Sequence, residues 1–265
     1  MKFGLLGFPI DYSLSPQIYR EFAIQFEHHI DYQLIPTTAD NLAERIVTLQ
    51  QTGYRGVNIT QPLKRLVLQY AGLQSKSTRL VQAANVLSFE PDGSIKADNT
   101  DGIGFYHALQ KHVSDPIKNK TVLLIGCGGA ARGILPQLFR LQPKKIILLN
   151  RTPAPTVALL KQYAELVCFD SEQSYDWIIN ATSIPCYELP NSLPSLTFAE
   201  KIIYDLTYNH DMIRHQQFVA QYKPAALYDG RSMLIEQAAV AYSIWYGVVP
   251  KTNTLMNRLI VHRKK

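Results

Sequence analysis

The sequence predicts an α/β fold in two units, and three observations carry that reading. Short apolar runs rich in Val, Ile, Leu and Tyr alternate with amphipathic stretches at helical spacing, the rhythm of βαβ units around mostly parallel sheets. A polar segment at 114–120, containing Asp115-Pro116, interrupts that rhythm and reads as a linker. A glycine-rich turn, Gly126-Cys127-Gly128-Gly129, joins an apolar run to an amphipathic one just beyond it. With 265 residues, 46% hydrophobic and 18% charged, the chain can bury one large or two ordinary cores and lacks the profile of disorder.

In the first unit, strands are expected at 2–8, 31–35, 56–59 and 85–89, and helices from Pro16, from about Asp40 and from Pro62. Ser15 reads as the N-cap of a helix whose first position is Pro16, since proline's fixed φ suits that place. Pro91-Asp92-Gly93-Ser94 reads as a hairpin turn. From Asp101 a helical pattern runs to about His112, and a second unit opens at Thr121. There the strands are expected at 122–125, 145–149, 177–179 and 201–205, with helices at 130–141 and after Pro155. A long apolar helix follows Tyr228-Asp229-Gly230 and runs through Tyr246; after a break at Pro250 a short helix ends in a basic tail. The domains are expected at 1–102 with 237–265, and at 103–236.

Lys and Arg number 27 against 21 Asp and Glu, and Arg263, Lys264 and Lys265 supply half of the resulting +6. With no other run of like charges, nothing points to nucleic acid; the balance suits a small anionic ligand. Cys127, Cys168 and Cys186 form neither a CxxC pair nor a zinc pattern, so a reducing compartment and no metal are expected. The apolar start is broken by Gly4, Gly7 and Pro9, too short for a signal sequence or a membrane span, and a cytoplasmic protein without a membrane partner is expected.

Gly126 and Gly128 occupy the first two positions of a dinucleotide fingerprint, and Ala131 fills the third, where a small residue permits helix–strand packing. Gly129, Ala130 and Ala131 open the helix, whose free amides and dipole suit phosphate. A turn that merely packs tightly is the competing explanation, and the strand before it and the helix after it favour the cofactor. At the end of the next strand stand Asn150, Arg151 and Thr152, with no Asp or Glu for a ribose 2′-hydroxyl. Arginine beside a hydroxyl suits the 2′-phosphate of NADP; an ordinary solvated surface arginine is the competing explanation, and the glycine turn favours the cofactor.

Four polar motifs fall at strand ends or helix starts of the first unit: Ser13-Leu14-Ser15-Pro16, Asn58-Ile59-Thr60-Gln61-Pro62-Leu63-Lys64, Ala83-Ala84-Asn85 and Asp98-Asn99-Thr100-Asp101-Gly102. Singly, each has a local explanation as a cap, a turn or a solvated lysine. Together their hydroxyls and amides suit a polyhydroxylated ligand, and a lysine with an aspartate is a competent proton-transfer pair.

Through nearly its whole length, this pattern resembles the shikimate dehydrogenase family. Its opening GxPIxxSxSP segment is matched by Gly7 to Pro16, its NxTxPxK motif by Asn58, Thr60, Pro62 and Lys64, and its DNTDG by Asp98 to Gly102. The resemblance implies a substrate domain and a Rossmann-type NADP-binding domain, with NADPH-dependent, reversible reduction of 3-dehydroshikimate to shikimate in aromatic amino acid biosynthesis. It implies Lys64 and Asp101 as the catalytic pair, without saying which carries the proton, and Ser13 and Ser15 as ligands of the substrate carboxylate. Thr60, Asn85, Tyr208 and Gln237 are implied at the substrate. Thr182, Gly230 and Met233 join the glycine turn and Asn150-Arg151-Thr152 as implied cofactor contacts. The implied protein is a monomer or homodimer acting on a small molecule.

Several positions depart from the family pattern. Gln82 and Ser232 stand where glycines are usual, Gln61 replaces an aliphatic residue, Ile184-Pro185-Cys186-Tyr187 lacks a glycine, and Pro155 takes the place of a second basic residue. Thr152 argues against a quinate/shikimate dehydrogenase preferring NAD, which carries an aspartate there. The presence of both Lys64 and Asp101 argues against a non-catalytic ligand sensor, and the SLSP and DNTDG segments against a folate-linked dehydrogenase of similar build.

Overall fold

The computed structural model describes residues 1–193, 196–208 and 211–261; the basic residues Arg263, Lys264 and Lys265 lie outside them. The chain divides into two units, Met1–Phe105 with Leu234–Lys265, and Tyr106–Met233. The first comprises β1 (Lys2–Gly7), α1 (Ser15–Gln25), β2 (Asp31–Pro36), α2 (Leu42–Gln51), β3 (Tyr54–Ile59), β4 (Leu73–Gln74), α3 (Lys76–Val81), β5 (Val86–Phe89), β6 (Ile95–Asp98) and the start of α4 (Asp101–His112). The second holds β7 (Thr121–Ile125), α5 (Gly129–Arg140), β8 (Lys145–Leu149), α6 (Pro153–Gln162), β9 (Leu166–Cys168), β10 (Trp177–Asn180), α7 (Leu189–Ser192), β11 (Ile202–Asp205), α8 (Met212–Tyr222) and β12 (Ala226–Asp229). The chain returns to the first unit within α9 (Arg231–Tyr246) and ends in α10 (Asn253–Val261).

The first sheet has the order β2-β1-β3-β5-β6-β4. β1 pairs parallel with β2 and β3, and β4 parallel with β6, whereas β5 runs antiparallel to both of its neighbours. The turn between β5 and β6 is the expected hairpin: Glu90 N–H donates to the Ser94 carbonyl at 2.9 Å, and the Asp92 carboxylate accepts from Ser94 N–H at 2.9 Å. On α1, Ile18, Tyr19, Phe22 and Ala23 recur at helical spacing and are buried, and Ile18, Tyr19 and Phe22 share a core cluster with Ile235, Ala238, Ala239 and Tyr242 of α9. Three of these, Ile18, Tyr19 and Phe22, are fully buried; at about 1.5–3 kcal/mol for a buried apolar side chain, such packing accounts for α9 belonging largely to this unit.

The second sheet is parallel throughout, in the order β12-β11-β10-β7-β8-β9. Counting β7 as first, this is the 3-2-1-4-5-6 order of dinucleotide-binding sheets, and the order reverses between β7 and β10. Its strands read as continuous apolar runs because helices cover both faces of such a sheet.

Three local expectations are corrected. No α-helix starts at Pro62. The Lys64 carbonyl accepts from Ala84 N–H at 2.7 Å while Leu68 N–H goes to the Arg65 carbonyl at 3.3 Å, and a 3₁₀ helix forms over Leu66–Tyr70. Ser15 is not the N-cap of α1: the ladder starts at the Leu14 carbonyl, and the Ser13 hydroxyl accepts from Ser15 N–H at 3.2 Å. The segment 114–120 is no free linker. Ile117 is buried, Asn119 N–H donates to the Gln142 carbonyl at 2.9 Å, and the Asp115 carboxylate accepts from Tyr228 Oη at 3.0 Å, all within the second unit.

Candidate functional site

In the first unit the structure brings four of the singled-out side chains into one hydrogen-bonded cluster. β3 ends at Ile59, the chain turns at Thr60 through a cis Gln61-Pro62 peptide, and the Lys64 carbonyl is tied to Ala84. Lys64 Nζ thereby lies 2.6 Å from Asp101 Oδ2, with side chains only 15% and 4% exposed. Asp101 opens α4, where the helix dipole favours a carboxylate, and its N–H donates to Asn99 Oδ1 at 3.1 Å. With water largely excluded, this pair interacts more strongly than a surface ion pair would, and a proton can pass along a hydrogen bond this short.

The other Asp101 oxygen, Oδ1, accepts from Asn85 Nδ2 at 2.9 Å. The same Asn85 nitrogen also faces Thr100 Oγ1 at 2.9 Å and Gln237 Oε1 at 3.0 Å, so two N–H groups serve three acceptors. Asn85 Oδ1 is held by Thr100 N–H at 2.8 Å, which fixes the orientation of the amide. Gln237 comes from α9 and is steadied by donating Nε2 to the Leu234 carbonyl at 2.9 Å. Behind the cluster, Asn58 donates Nδ2 to the Asn85 carbonyl at 3.3 Å and accepts from Tyr32 Oη at 2.7 Å. Thr100 and Tyr32 were not singled out in the sequence. Thr100 lies inside a motif that was read, whereas Tyr32 sits in a half-exposed strand and carries no sequence signal.

Ser13 and Ser15 stand together at the start of α1, with Ser13 Oγ donating to Ser15 Oγ at 3.1 Å. Thr60 is half-buried at the end of β3, its N–H donating to the Leu6 carbonyl at 2.9 Å. Among the described residues, none of these three is hydrogen-bonded to the Lys64–Asp101 cluster. Tyr208 lies in the second unit, half-buried beyond β11.

In the second unit, the glycine turn follows β7 at the point where strand order reverses, the place where open α/β sheets bind ligands. Gly126 has φ +104°, and a Cβ there would come within 3.0 Å of the Ala181 carbonyl oxygen, so both the turn and the close approach of the β10 end require glycine. Gly128 caps α5 with no side-chain hydrogen bond, and an added Cβ there would meet nothing within 4 Å. Gly129, Ala130 and Ala131 begin a helix with no side-chain cap at its N-terminus, which suits a pyrophosphate.

Asn150, Arg151 and Thr152 link β8 to α6. Arg151 is exposed, Asn150 Nδ2 donates to the Thr152 carbonyl at 2.7 Å, and Thr152 is the N-cap residue of α6. Thr182 follows β10, its hydroxyl donating to Asn180 Oδ1 at 2.8 Å. Gly230 is buried, and a Cβ there would fall 2.1 Å from the Leu206 carbonyl oxygen; Met233 is buried on α9. The hydroxyl of Ser232, where the family has glycine, is matched by Tyr204 Oη at 2.7 Å.

A polar network at the ends of β10 and β11 holds the loop that lacks its glycine. Asn180 Nδ2 donates to the Ile184 carbonyl at 2.7 Å and to Asp205 Oδ1 at 2.9 Å, while Cys186 N–H donates to Asp205 Oδ2 at 2.6 Å. Burial pushes the Asp205 carboxyl up to about 6, against the hydrogen bonds from Thr207 and Cys186 that favour its charged form. Burial also pushes the Cys186 and Cys127 thiols up, which keeps them protonated and unreactive.

A parallel sheet in dinucleotide-binding order, with a glycine turn at its switch point, and a second sheet presenting a buried lysine–carboxylate pair among amides and hydroxyls define a two-unit oxidoreductase of the nicotinamide-dependent class. Comparison with known proteins narrows this. The family described as shikimate dehydrogenase substrate binding domain matches residues 5–87, and that described as shikimate / quinate 5-dehydrogenase matches residues 108–192. The chain is 34% identical over 269 residues to a shikimate dehydrogenase (NADP(+)) of Coxiella burnetii, covering 98% of this chain and 99% of that one. It is 32% identical to the enzyme of the same name from Nitrosomonas europaea, over 97% and 96% of the two chains. Among solved structures, an Ael1 enzyme from Pseudomonas putida is 33% identical with a TM-score of 0.83, each chain covered to 97%. Shikimate 5-dehydrogenase of Thermus thermophilus, in complex with NADP(H) and shikimate, is 27% identical with a TM-score of 0.83 and 96% of each chain covered. The chain belongs to the shikimate dehydrogenase family. Among the described residues, no helix is long and apolar enough to cross a membrane.

Proposed function

We propose that this protein catalyses the reversible, NADPH-dependent reduction of 3-dehydroshikimate to shikimate. The observation that carries the reading is the Lys64–Asp101 pair, 2.6 Å apart and largely shielded from water, in a cluster with Asn85, Thr100 and Gln237. Three unpaired cysteines agree with the cytoplasmic setting that the reading carries.

NADPH, when bound, would supply the hydride to the ring carbon in the reducing direction, and NADP+ would accept it in the oxidising direction. The chain's own residues position both partners and manage the proton. Gly126 and Gly128 leave room for the pyrophosphate, and the amides of Gly129, Ala130 and Ala131 bind it. Asn150, Arg151 and Thr152 take the 2′-phosphate, with the guanidinium forming charge-assisted bonds to it. Thr182, Gly230 and Met233 complete the cofactor's surroundings. Ser13 and Ser15 donate their hydroxyls to the substrate carboxylate, and Thr60, Asn85, Tyr208 and Gln237 hold its hydroxyl groups.

In the reducing direction Lys64 Nζ gives a proton to the substrate oxygen as that oxygen gains negative charge, and Asp101 stabilises the ammonium beforehand. In the oxidising direction the proton returns along the same path. Because the two groups share a hydrogen bond of 2.6 Å, the acid–base role is assigned to the pair.

The test is a grid of initial rates, followed by absorbance of the reduced cofactor, with shikimate or quinate crossed against NADP or NAD. Strong activity confined to shikimate with NADP supports the reading and the role of Arg151. Silence with all four combinations overturns it.

A further inference from the structure

The positive charge of this chain is unevenly placed. Between Glu44 and Glu90 there is no Asp or Glu, whereas Arg45, Arg55, Lys64, Arg65, Lys76 and Arg79 all lie there, so this stretch carries as much formal charge, +6, as the entire chain. It folds into most of α2, β3, the turn after it, the 3₁₀ helix, the edge strand β4, α3 and β5. Two of its cations line one groove of about 740 Å³, together with Pro62, Leu66, Leu68 and Gln82.

The groove has two chemical characters. Arg79 reaches across from α3, its Nη1 donating to the carbonyl of Gln74, itself a lining residue, which fixes the guanidinium while leaving its other N–H groups available. Arg65, just before the 3₁₀ helix, is exposed, and among the described residues no carboxylate lines the groove to neutralise either cation. Beside the amides of Gln74 and Gln82, Pro62, Leu66 and Leu68 form an apolar wall, on which Leu66 is 41% exposed. Lys64 is absent from the lining, because its side chain is engaged by Asp101.

Planar guanidinium forks match phosphate oxygens two at a time, and two of them suit a dianion better than a single carboxylate. The apolar wall asks for a hydrophobic body on the same molecule. We propose that this groove is a second ligand site, separate from the Lys64–Asp101 cluster and from the glycine turn, that binds a small phosphate ester bearing an apolar group.

The test is calorimetric titration of the full chain with phenyl phosphate. Saturable binding of one molecule per chain is expected, unchanged in Arg151→Ala, whose altered cofactor site excludes that location as the source of the signal. Arg65→Gln/Arg79→Gln should weaken it by about tenfold or more, the loss expected for two charge-assisted contacts, while kcat and KM for shikimate stay unaltered. Methyl phosphate, which lacks the apolar body, should bind more weakly than phenyl phosphate. Absence of saturable binding, or equal affinity in the wild type and the double variant, would overturn the proposal. Since Arg65 and Arg79 have no part in the proposed reaction, failure here leaves the assignment of function untouched, and the rate grid tests that assignment separately.

Discussion

Replacing Asp101 by Asn tests the central cluster most directly, because the change is nearly isosteric and its cost can be worked out from the contacts. Both carboxylate oxygens face donors, Lys64 Nζ at 2.6 Å and Asn85 Nδ2 at 2.9 Å. An amide has one acceptor and one NH₂ group, so in either orientation an N–H would point at a donor. The charge-assisted bond to Lys64, about 1.5–3 kcal/mol, is lost or weakened, and a donor is left unsatisfied in a largely buried site. Asp101→Asn should therefore destabilise the protein by about 2–4 kcal/mol, read as a shift in urea unfolding. Its kcat should fall by about 10²–10⁴, or roughly 3–5 kcal/mol of barrier, with a smaller change in KM. Lys64→Ala should give a similar loss, and the double variant should be scarcely slower than the worse single variant, because residues acting as a unit are not additive. Initial rates of NADP reduction by shikimate provide the assay. A folded Asp101→Asn protein with near-normal kcat, or a double variant whose losses multiply, would refute the pair as the acid–base unit.

Gly104→Ala on α4 would place a Cβ 2.4 Å from Gln237 Cβ and 2.6 Å from its backbone nitrogen. Such overpacking should cost about 1–3 kcal/mol in urea unfolding, and by moving Gln237 off Asn85 it should raise KM for shikimate more than it lowers kcat. Gln82 ends α3 with φ +51°, a left-handed conformation that glycine adopts freely, and its side chain is exposed. Gln82→Gly should stabilise the protein by about 0.5–1 kcal/mol, seen as a higher urea midpoint with kinetics unaltered. Asp205, with its carboxyl raised from 3.8 to about 6, binds its proton more tightly folded than unfolded, so its stabilising contribution is complete below pH 3.8 and is lost as pH rises through 6. Stability measured across that window should fall by up to about 3 kcal/mol from this group, and Asp205→Asn should remove that component of the pH dependence.

Much of the fold is visible in the sequence because its strands are short apolar blocks bounded by turn residues, and the hairpin at Asp92-Gly93 and the turn at Gly126 follow from local chemistry. What stays hidden depends on contacts made elsewhere in the chain. The helical pattern after Pro62 is real, but the Ala84 amide donates to the Lys64 carbonyl, and Leu68 bonds back to Arg65 rather than to Lys64. Strand β4, two residues long, exists only because β6 lies beside it. Helix α3 was readable: the Ser75 hydroxyl accepts from Thr78 N–H as an N-cap, a pattern present in Ser75-Lys76-Ser77-Thr78.

The candidate site divides along the same line. Residue types are local, so Lys64, Asn85 and Asp101 could be picked out as chemistry-bearing side chains at strand ends and helix starts. Their mutual arrangement is not local: Asn85 and Gln237 are 152 positions apart and meet only because α9 packs against the first unit through its Ile235, Ala238 and Tyr242 face. Gln237 lies in an apolar helix with nothing polar beside it but Glu236, so without the family resemblance its role had no signal. Tyr32 shows the same limit from the other side, since its hydroxyl reaches Asn58 from a strand whose alternation marks only burial. The amide network therefore depends on the packing of α9. Perturbing that packing at Gly104 should reach substrate binding through Gln237 while leaving Lys64 and Asp101 in contact, which separates the positioning function of the cluster from its proton transfer.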